Sequence, residues 1–414
     1  MTAFRYAVLA STTALALAAC GGTGAPETGS SPPASAKATD TATDTGADAG
    51  PATTAATTQA PGATCVSEAY GSLTEDQRLG QLLMVGFDTN APLTALDDEI
   101  EESHVGNVIY LGGWEGLEKV RSTSEHLDGL VSEETTGGVG LVIAADQEGG
   151  IVHQLRGDGF TRPPRALDQA ALPPAELTAA ATGWGEEMAA AGVDVNLAPV
   201  ADTVPEEVGT ANEPIGKWGR QYGSDPAVVS ANVTAFLEGM AAAGVVGVVK
   251  HFPGLGRVTG NTDFTADGIE DAVATVDDPF LQPFVAGMEA GAGMVMMSSA
   301  LYPNLDPENQ ALYSSAIVTD LLRGRLGWDG VVVTDDVNAA ALADRPASER
   351  AVGFVAAGGD VVLNGDPGAA DEMLEALRSE AAADPTFAAQ VEAAVTRVLA
   401  LKDEMGLLPC SVGD

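Results

Sequence analysis

Eight short runs of apolar residues, rich in valine, isoleucine and methionine, constrain the fold of this chain more than any other feature. None of them alternates with a period of two, so each is typical of a parallel strand that is buried on both faces. The runs cover residues 81–87, 105–111, 141–145, 193–200, 245–249, 294–297, 331–334 and 361–364.

Helical patterns separate these runs. Asp225-Pro226 provides an N-cap and a first-turn proline for a helix ending near Ala243. Asp278-Pro279 does the same for residues 280–290, and residues 388–405 read as a closing helix. This alternation predicts an α/β fold, a (β/α)8 TIM-type barrel that forms a single catalytic domain over residues 65–414. An open doubly wound sheet is the alternative, weakened because no G-x-G-x-x-G follows the first run.

Polar residues cluster where the apolar runs end. In a barrel, the carboxyl ends of all strands face one mouth, where barrel enzymes keep their chemistry. Any one of these residues could instead cap the next helix, but six such positions together favour a functional site. The positions are Asp146, Asp202, Lys250-His251, Ser298-Ser299, Asp335-Asp336 and Asn364.

The first 64 residues are expected to lie outside this domain. Arg5 and a short apolar run read as a signal peptide over residues 1–19. Small residues precede Cys20, as in the bacterial lipobox, so we expect Cys20 to be lipidated; the alternative is an ordinary signal peptide with a chance cysteine. Residues 20–64 would then form a disordered tether. The predicted location is the cell envelope, lipid-anchored to the outer face of the cytoplasmic membrane.

Two further cysteines, Cys65 and Cys410, lie near the two ends of the predicted domain. Export would place them in an oxidising compartment, where an isolated pair is more often bridged than free. We therefore expect a Cys65–Cys410 disulfide that joins the ends of the domain.

The formal net charge of −40 argues against a nucleic-acid partner or a basic membrane-binding face. It is more simply an adaptation of the whole surface to solubility or salt. The chain has no CxxC, HExxH or Walker loop, so we expect neither a metal nor a nucleotide cofactor. Carboxylates, one lysine and one imidazole around a barrel mouth instead suit a neutral substrate rich in hydroxyl groups, such as a sugar.

Six motifs point in the same direction. They are DQEGGIVHQLR (146–156), NLAPVADT (196–203), RQYGSDP (220–226), KHFPGLG (250–256), LYPNLDP (301–307) and LGWDGVVVTDD (326–336). In these motifs the chain resembles the family-3 glycoside hydrolases, and within them the single-domain bacterial β-N-acetylglucosaminidases that act on peptidoglycan fragments. The likeness extends from about Gln81 to Leu407.

This resemblance implies roles for individual residues. Asp335 corresponds to the nucleophile, and Asp336 beside it is the better candidate for capping the turn. A terminal N-acetylglucosamine would be held by four residues, Asp146, Arg220, Lys250 and His251. The alternative interpretations give these residues no functional role: Arg220 would form a surface ion pair, and His251 would be a buried histidine whose hydrogen bonds are all made within the protein.

One position departs from the family pattern. The segment after K-H-F-P-G usually ends in Asp-Ser-His, whose histidine is the acid/base, but here Asn261-Thr262-Asp263 occupies those positions. We expect Asp263 to replace the histidine, since a carboxyl group is the commonest glycosidase acid. That role would need its pKa raised by burial or by a nearby carboxylate. Asp263 could also be only a turn residue, with the proton coming from elsewhere.

The prediction is thus a retaining, exo-acting and monomeric hydrolase that removes terminal N-acetylglucosamine from a glycan or muropeptide. Three alternatives remain: a lipoprotein that binds cell-wall sugars without cleaving them, a solute-binding lipoprotein of a transporter, and a family-3 β-glucosidase. The missing histidine keeps the first alternative open. The series of motifs at strand ends argues against the second. The third usually needs a second domain for its acid.

Overall fold

The computed structural model describes residues 61–410. Eight parallel strands form one sheet. They are β1 (Leu83–Asp88), β2 (Asn107–Leu111), β3 (Val142–Ala145), β4 (Val195–Asn196), β5 (Val246–Phe252), β6 (Met294–Met297), β7 (Val331–Thr334) and β8 (Val362–Asn364). Their order in the sheet is β7-β6-β5-β4-β3-β2-β1-β8, and the sheet closes through a bridge between Val333 and Val361. The fold is therefore the expected (β/α)8-type barrel.

All eight apolar runs contain a strand, but two strands differ in length from the prediction. β4 is reduced to two residues, because Pro199 later in that run has no N–H to donate to a ladder. Beyond β4, the chain pairs with β5 through isolated backbone hydrogen bonds, such as the one that Ala201 N donates to Lys250 O at 2.7 Å. β5 extends three residues beyond Val249, so Lys250 and His251 lie within the strand.

Helices surround the barrel and follow the predicted patterns. The helix after Asp225 spans Pro226–Ala242, and the Asp225 carboxylate accepts a hydrogen bond from Ala227 N. The α-helices are α1 (Pro61–Ser72), α2 (Glu75–Gly80), α3 (Asp97–Glu101), α4 (Leu117–Asp128), α5 (Ala166–Gln169), α6 (Pro174–Ala190), α7 (Pro226–Ala242), α8 (Gln282–Glu289), α9 (Ala347–Ala357), α10 (Ala370–Ala383) and α11 (Pro385–Glu404). A π-type helix, Ala316–Arg325, lies between β6 and β7 in the sequence.

The two ends of the described chain meet. α1 packs against α11, and a disulfide joins Cys65 to Cys410 with the two Cα atoms 5.7 Å apart. α1 begins at Pro61, four residues before the predicted domain boundary at Cys65. The reason is that Cys65, Val66 and Ala69 bury their side chains in the core, and one helix carries all three.

The predicted signal peptide, the lipidation site at Cys20 and the tether up to residue 60 lie outside the described residues. Among the helices of residues 61–410, none is both long enough and apolar enough to cross a membrane.

Candidate active site

A cavity of about 250 Å³ opens at the carboxyl ends of the barrel strands. Its floor is apolar and includes Ile109, Met296 and Leu363 from β2, β6 and β8. All six residues to which the sequence assigned catalytic or substrate-binding roles line this one cavity: Asp146, Arg220, Lys250, His251, Asp263 and Asp335.

Two cations and two carboxylates form a closed cluster on one wall. Lys250 Nζ lies 2.7 Å from Glu148 Oε1 and also pairs with Asp146. Arg220 binds the Glu148 carboxylate with two nitrogens, at 2.7 and 2.9 Å. Arg220 is therefore not the surface ion pair of the alternative interpretation, since only 14% of its side chain is exposed.

The cluster favours the ionised forms of Glu148 and Lys250. Burial alone would raise the pKa of Glu148, but Arg220 and then Lys250 lower it to about 2. Burial would likewise lower the pKa of Lys250, but Asp146 and Glu148 raise it overall. Glu148 uses its oxygens on these two cations, whereas Asp146 keeps 19% of its side chain exposed toward the cavity. Asp146 is thus the carboxylate of the cluster that can accept hydrogen bonds from a ligand.

His251 is held by a buried carboxylate. Its Nδ1 lies 2.7 Å from Asp202 Oδ2, and Asp202 also accepts a hydrogen bond from Leu255 N at 2.7 Å. Asp202 is completely buried. The contact fixes the plane of the imidazole and ties it to the start of the next loop, while His251 still lines the cavity. The histidine is therefore buried, as in the alternative interpretation, and it also faces the site.

The adjacent acids Asp335 and Asp336 have different partners. Asp336 Oδ1 accepts hydrogen bonds from Asn338 N and Gly365 N, both at 2.9 Å, so this carboxylate stabilises the turn after β7. Asp335 faces the cavity, and one of its oxygens accepts a single bond from Asp336 N. Burial raises the pKa of Asp335; His251 and Lys250 act against this, and Asp263 adds to it.

Asp263 lies near the tip of the loop after β5. The loop is docked onto the segment that follows Asp335, because Asp263 O accepts from Ala340 N at 3.2 Å and Thr262 O from Ala341 N at 3.0 Å. The loop thus brings Asp263 to the same cavity as Asp335. Asp263 is exposed, however, so burial, one of the two conditions expected to support its acid role, is not present.

Two functional partners were not recognised as such from the sequence. Glu148 lies inside the DQEGG motif without a predicted role, and Asp202 was predicted only as one of the polar residues at strand ends. The one signal was their position just after buried runs, because their partners Arg220 and His251 lie 72 and 49 residues away in the chain. Within residues 61–410, no group of three or more histidine, cysteine or acidic side chains is arranged to hold a metal ion.

Comparison with known proteins decides the family. The model of the "Glycosyl hydrolase family 3 N terminal domain" matches residues 74–401. The chain belongs to glycoside hydrolase family 3. It is therefore a glycoside hydrolase, and the cavity at the barrel mouth is its candidate active site.

Relatives within family 3 agree with this placement. A β-hexosaminidase of Xylella fastidiosa is 38% identical over 257 residues, covering 57% of this chain and 70% of the relative. The crystal structure of a β-N-acetylhexosaminidase from Beutenbergia cavernae is 50% identical, with a TM-score of 0.78, and the match covers 80% of this chain and 98% of that one. A family-3 β-N-acetylglucosaminidase from Paenibacillus is 32% identical, with a TM-score of 0.70 and coverages of 81% and 63%.

Proposed function

We propose that this family-3 enzyme is an exo-acting, retaining β-N-acetylglucosaminidase that removes terminal N-acetylglucosamine from peptidoglycan-derived fragments. The names of its relatives support the choice of sugar. The observation that carries the proposal is the convergence of Asp335, Asp263 and the charged cluster on one cavity. A cavity of about 250 Å³ has room for one terminal sugar ring rather than for the interior of a chain, which supports exo action.

In this proposal, the charged cluster binds the terminal sugar. Asp146 accepts hydrogen bonds from sugar hydroxyls, Lys250 and Arg220 donate to them, and His251 presents the ring nitrogen that Asp202 does not engage. Because Glu148 and Asp202 already hold these side chains in place, little side-chain ordering is needed when the sugar binds. The pairing of opposite charges also keeps the wall close to neutral, which suits an uncharged ring.

The proposed chemistry has two steps. Asp335 attacks the anomeric carbon and forms a glycosyl-enzyme ester, while Asp263 gives its proton to the oxygen of the leaving group. Asp263 then takes a proton from water, which attacks the anomeric carbon, and Asp335 leaves as a carboxylate. Asp336 takes no part, because its Oδ1 accepts the two backbone hydrogen bonds that stabilise the turn.

A chromogenic N-acetylglucosaminide tests this proposal directly. The parent protein should release the chromophore, and Asp335→Asn should reduce turnover at least 1,000-fold, the order expected when a nucleophile is lost. Asp344→Asn, which changes a loop aspartate outside the cavity, is the control. Cleavage of the matching glucoside alone would make the enzyme a β-glucosidase. Tight sugar binding without cleavage of either substrate would favour the sugar-binding lipoprotein.

The cellular location is a separate proposal, supported by the lipobox-like sequence before Cys20. The full-length protein expressed in a bacterial host should partition with membranes, whereas Cys20→Ala should leave it in the soluble or secreted fraction. If both forms fractionate alike, the lipid anchor is wrong.

A further inference from the structure

Three large apolar side chains are exposed at positions one or two residues away from residues that line the cavity. Phe264 is 80% exposed, Ile151 is 51% exposed and Trp218 is 42% exposed. Phe264 directly follows Asp263, Ile151 directly precedes Val152, and Trp218 lies two residues before Arg220. Asp263, Val152 and Arg220 all line the cavity. We refer to Ile151, Trp218 and Phe264 as the apolar rim.

Hydrogen bonds hold the backbone around Phe264 in place, although its side chain is exposed to solvent. Phe264 N donates to Asn261 O at 3.0 Å, and the base of the loop is closed by Gly260 N to Gly268 O at 2.8 Å. Thr262, two residues earlier, is 98% buried. The loop therefore presents the phenyl ring on a fixed support.

Ile151 is supported in a similar way. It follows Gly149 and Gly150, which have positive φ angles of 112° and 61° and turn the chain sharply. Arg162 Nη2 donates to Gly150 O at 2.6 Å, and Gly150 N donates to Pro163 O at 3.0 Å. These bonds fix the turn and leave the Ile151 side chain in solvent.

Trp218 belongs to the segment that carries Arg220. Arg220 Nη1 donates to Pro214 O at 2.8 Å, which folds this segment back on itself, and both of these residues line the cavity. Lys217 Nζ lies 5.5 Å from the centre of the Trp218 ring and pairs with Glu213.

We propose that the apolar rim binds the second sugar ring of the substrate, on the leaving-group side of the scissile bond. This inference rests on the proposed function, in which Asp263 stands at the glycosidic oxygen. If the terminal sugar fills the cavity and Asp263 marks its outer limit, the leaving sugar must lie beyond Asp263, where Phe264 is exposed. A pyranose ring has an apolar C–H face that can cover aromatic and aliphatic side chains.

The physical reason is the removal of apolar surface from water. When the apolar face of a sugar covers an exposed phenyl ring, apolar surface of both groups leaves water. The hydrophobic effect and dispersion then stabilise the complex. Exposed apolar groups grouped around a site mark ligand-binding surfaces, whereas single ones are ordinary. Since the supports are rigid, binding does not have to order a loop first.

The test compares two substrates that differ only in their leaving group. In N,N′-diacetylchitobiose the leaving group is a second sugar ring, and in N-acetylglucosaminyl fluoride it is a single fluorine atom. Phe264→Ala should raise KM for the disaccharide about fivefold, the loss expected for one partly covered aromatic ring. The effect on KM for the fluoride should be much smaller. Phe264→Tyr should restore the disaccharide KM, and Val273→Ala, at a 62% exposed position outside the cavity, should change neither.

A binding measurement separates this inference from the proposed function. In the Asp335→Asn background, calorimetric titration with diacetylchitobiose should give a several-fold weaker Kd when Phe264→Ala is added. An inactive parent would overturn the proposed function, while the titration would still decide the role of the rim. An unchanged Kd, or equal changes in KM for the two substrates, would overturn the rim proposal.

Discussion

At the scale of single residues, the site depends on two aspartates in unlike environments. Asp335 is partly buried, beside a histidine and a lysine, whereas Asp263 is exposed on a loop. Burial raises the pKa of Asp335, and Asp263 raises it further wherever that carboxyl is ionised. A nucleophile must be ionised, so activity should be lost as the pH falls through this raised pKa.

The first prediction concerns this pair. In the proposed chemistry Asp263 holds its proton while Asp335 is ionised, so Asp263→Asn, whose side chain is also neutral, should leave the acidic limb of kcat/KM at the pH of the parent. N-acetylglucosaminyl fluoride is the suitable substrate, because fluoride needs little help from a proton donor. Asp267→Asn, an exposed loop aspartate outside the cavity, is the control. A shift of the acidic limb to lower pH in Asp263→Asn would show that Asp263 carries a negative charge beside Asp335 in the active enzyme and is not the proton donor.

The second prediction concerns proton donation. Asp263→Ala should slow substrates with poor leaving groups about 100-fold or more, because they need the proton, and substrates with good leaving groups far less. Azide should restore turnover of the activated substrates, since it attacks the glycosyl-enzyme without a base. If Asp263→Ala cleaves poor and good leaving groups as fast as the parent, then Asp263 is a turn residue only.

The sequence was enough to predict which residues form much of this site. Asp146, Lys250, His251 and Asp335 were found because they end buried runs, and the barrel brings strand ends to one mouth. The partnerships were not predictable. Glu148 and Asp202 neutralise or orient residues that are distant in the chain, and such pairing depends on side-chain positions rather than spacing. The exposure of Asp263 likewise depends on how its loop docks.

At the scale of elements, the loop after β5 is anchored by a buried ion-pair cluster. Arg257 binds Asp278 through two nitrogens, at 2.6 and 2.9 Å, and Asp271 at 3.1 Å. Asp271 and Asp278 are both buried, and the guanidinium lies 3.9 Å from the centre of the Phe280 ring. Asn212 adds two bonds of 2.6 Å to the carbonyls of Leu255 and Val258.

The third prediction follows from this anchor. Arg257→Met leaves two buried carboxylates without their cation, so the free energy of unfolding should fall by about 3 kcal/mol in urea titrations. Turnover of substrates with poor leaving groups should fall more than that of the fluoride, because the loop carries Asp263. Arg378→Met is a matched control, since Arg378 also bridges two acids, Asp76 and Glu375, but on the surface. Equal losses of stability in the two variants would contradict this account.

The elements themselves were largely predictable. Continuous apolar runs predicted all eight strands, and Asp-Pro pairs predicted the starts of two helical segments. Strand lengths were less predictable, because they depend on pairing: β5 continues through Lys250 and His251, whose polar side chains face the mouth. The small antiparallel pair Gln147–Gly149 and Val152–His153, which carries Glu148 and Ile151, has no apolar signature and was not predicted.

At the scale of the whole molecule, the disulfide and the α1–α11 contact join the two ends of the domain. Both cysteines lie outside the cavity. The fourth prediction is that Cys65→Ser/Cys410→Ser lowers the free energy of unfolding by up to about 4 kcal/mol while kcat/KM stays within twofold of the parent. Urea titration under non-reducing conditions and a peptide map of the parent check this. Two free thiols in oxidatively folded parent protein would contradict it.

The central claim is that Asp335 forms a covalent bond with the sugar, and trapping that bond tests it most directly. A fluorinated glycosyl donor with a good leaving group, such as 5-fluoro-N-acetylglucosaminyl fluoride, keeps the 2-acetamido group, forms the glycosyl-enzyme and then hydrolyses slowly. Peptide mapping by mass spectrometry should place one sugar on Asp335, and Asp335→Asn should remain unlabelled under the same conditions. A label on Asp336 or Asp263, or turnover of the donor without any covalent species, would contradict the account.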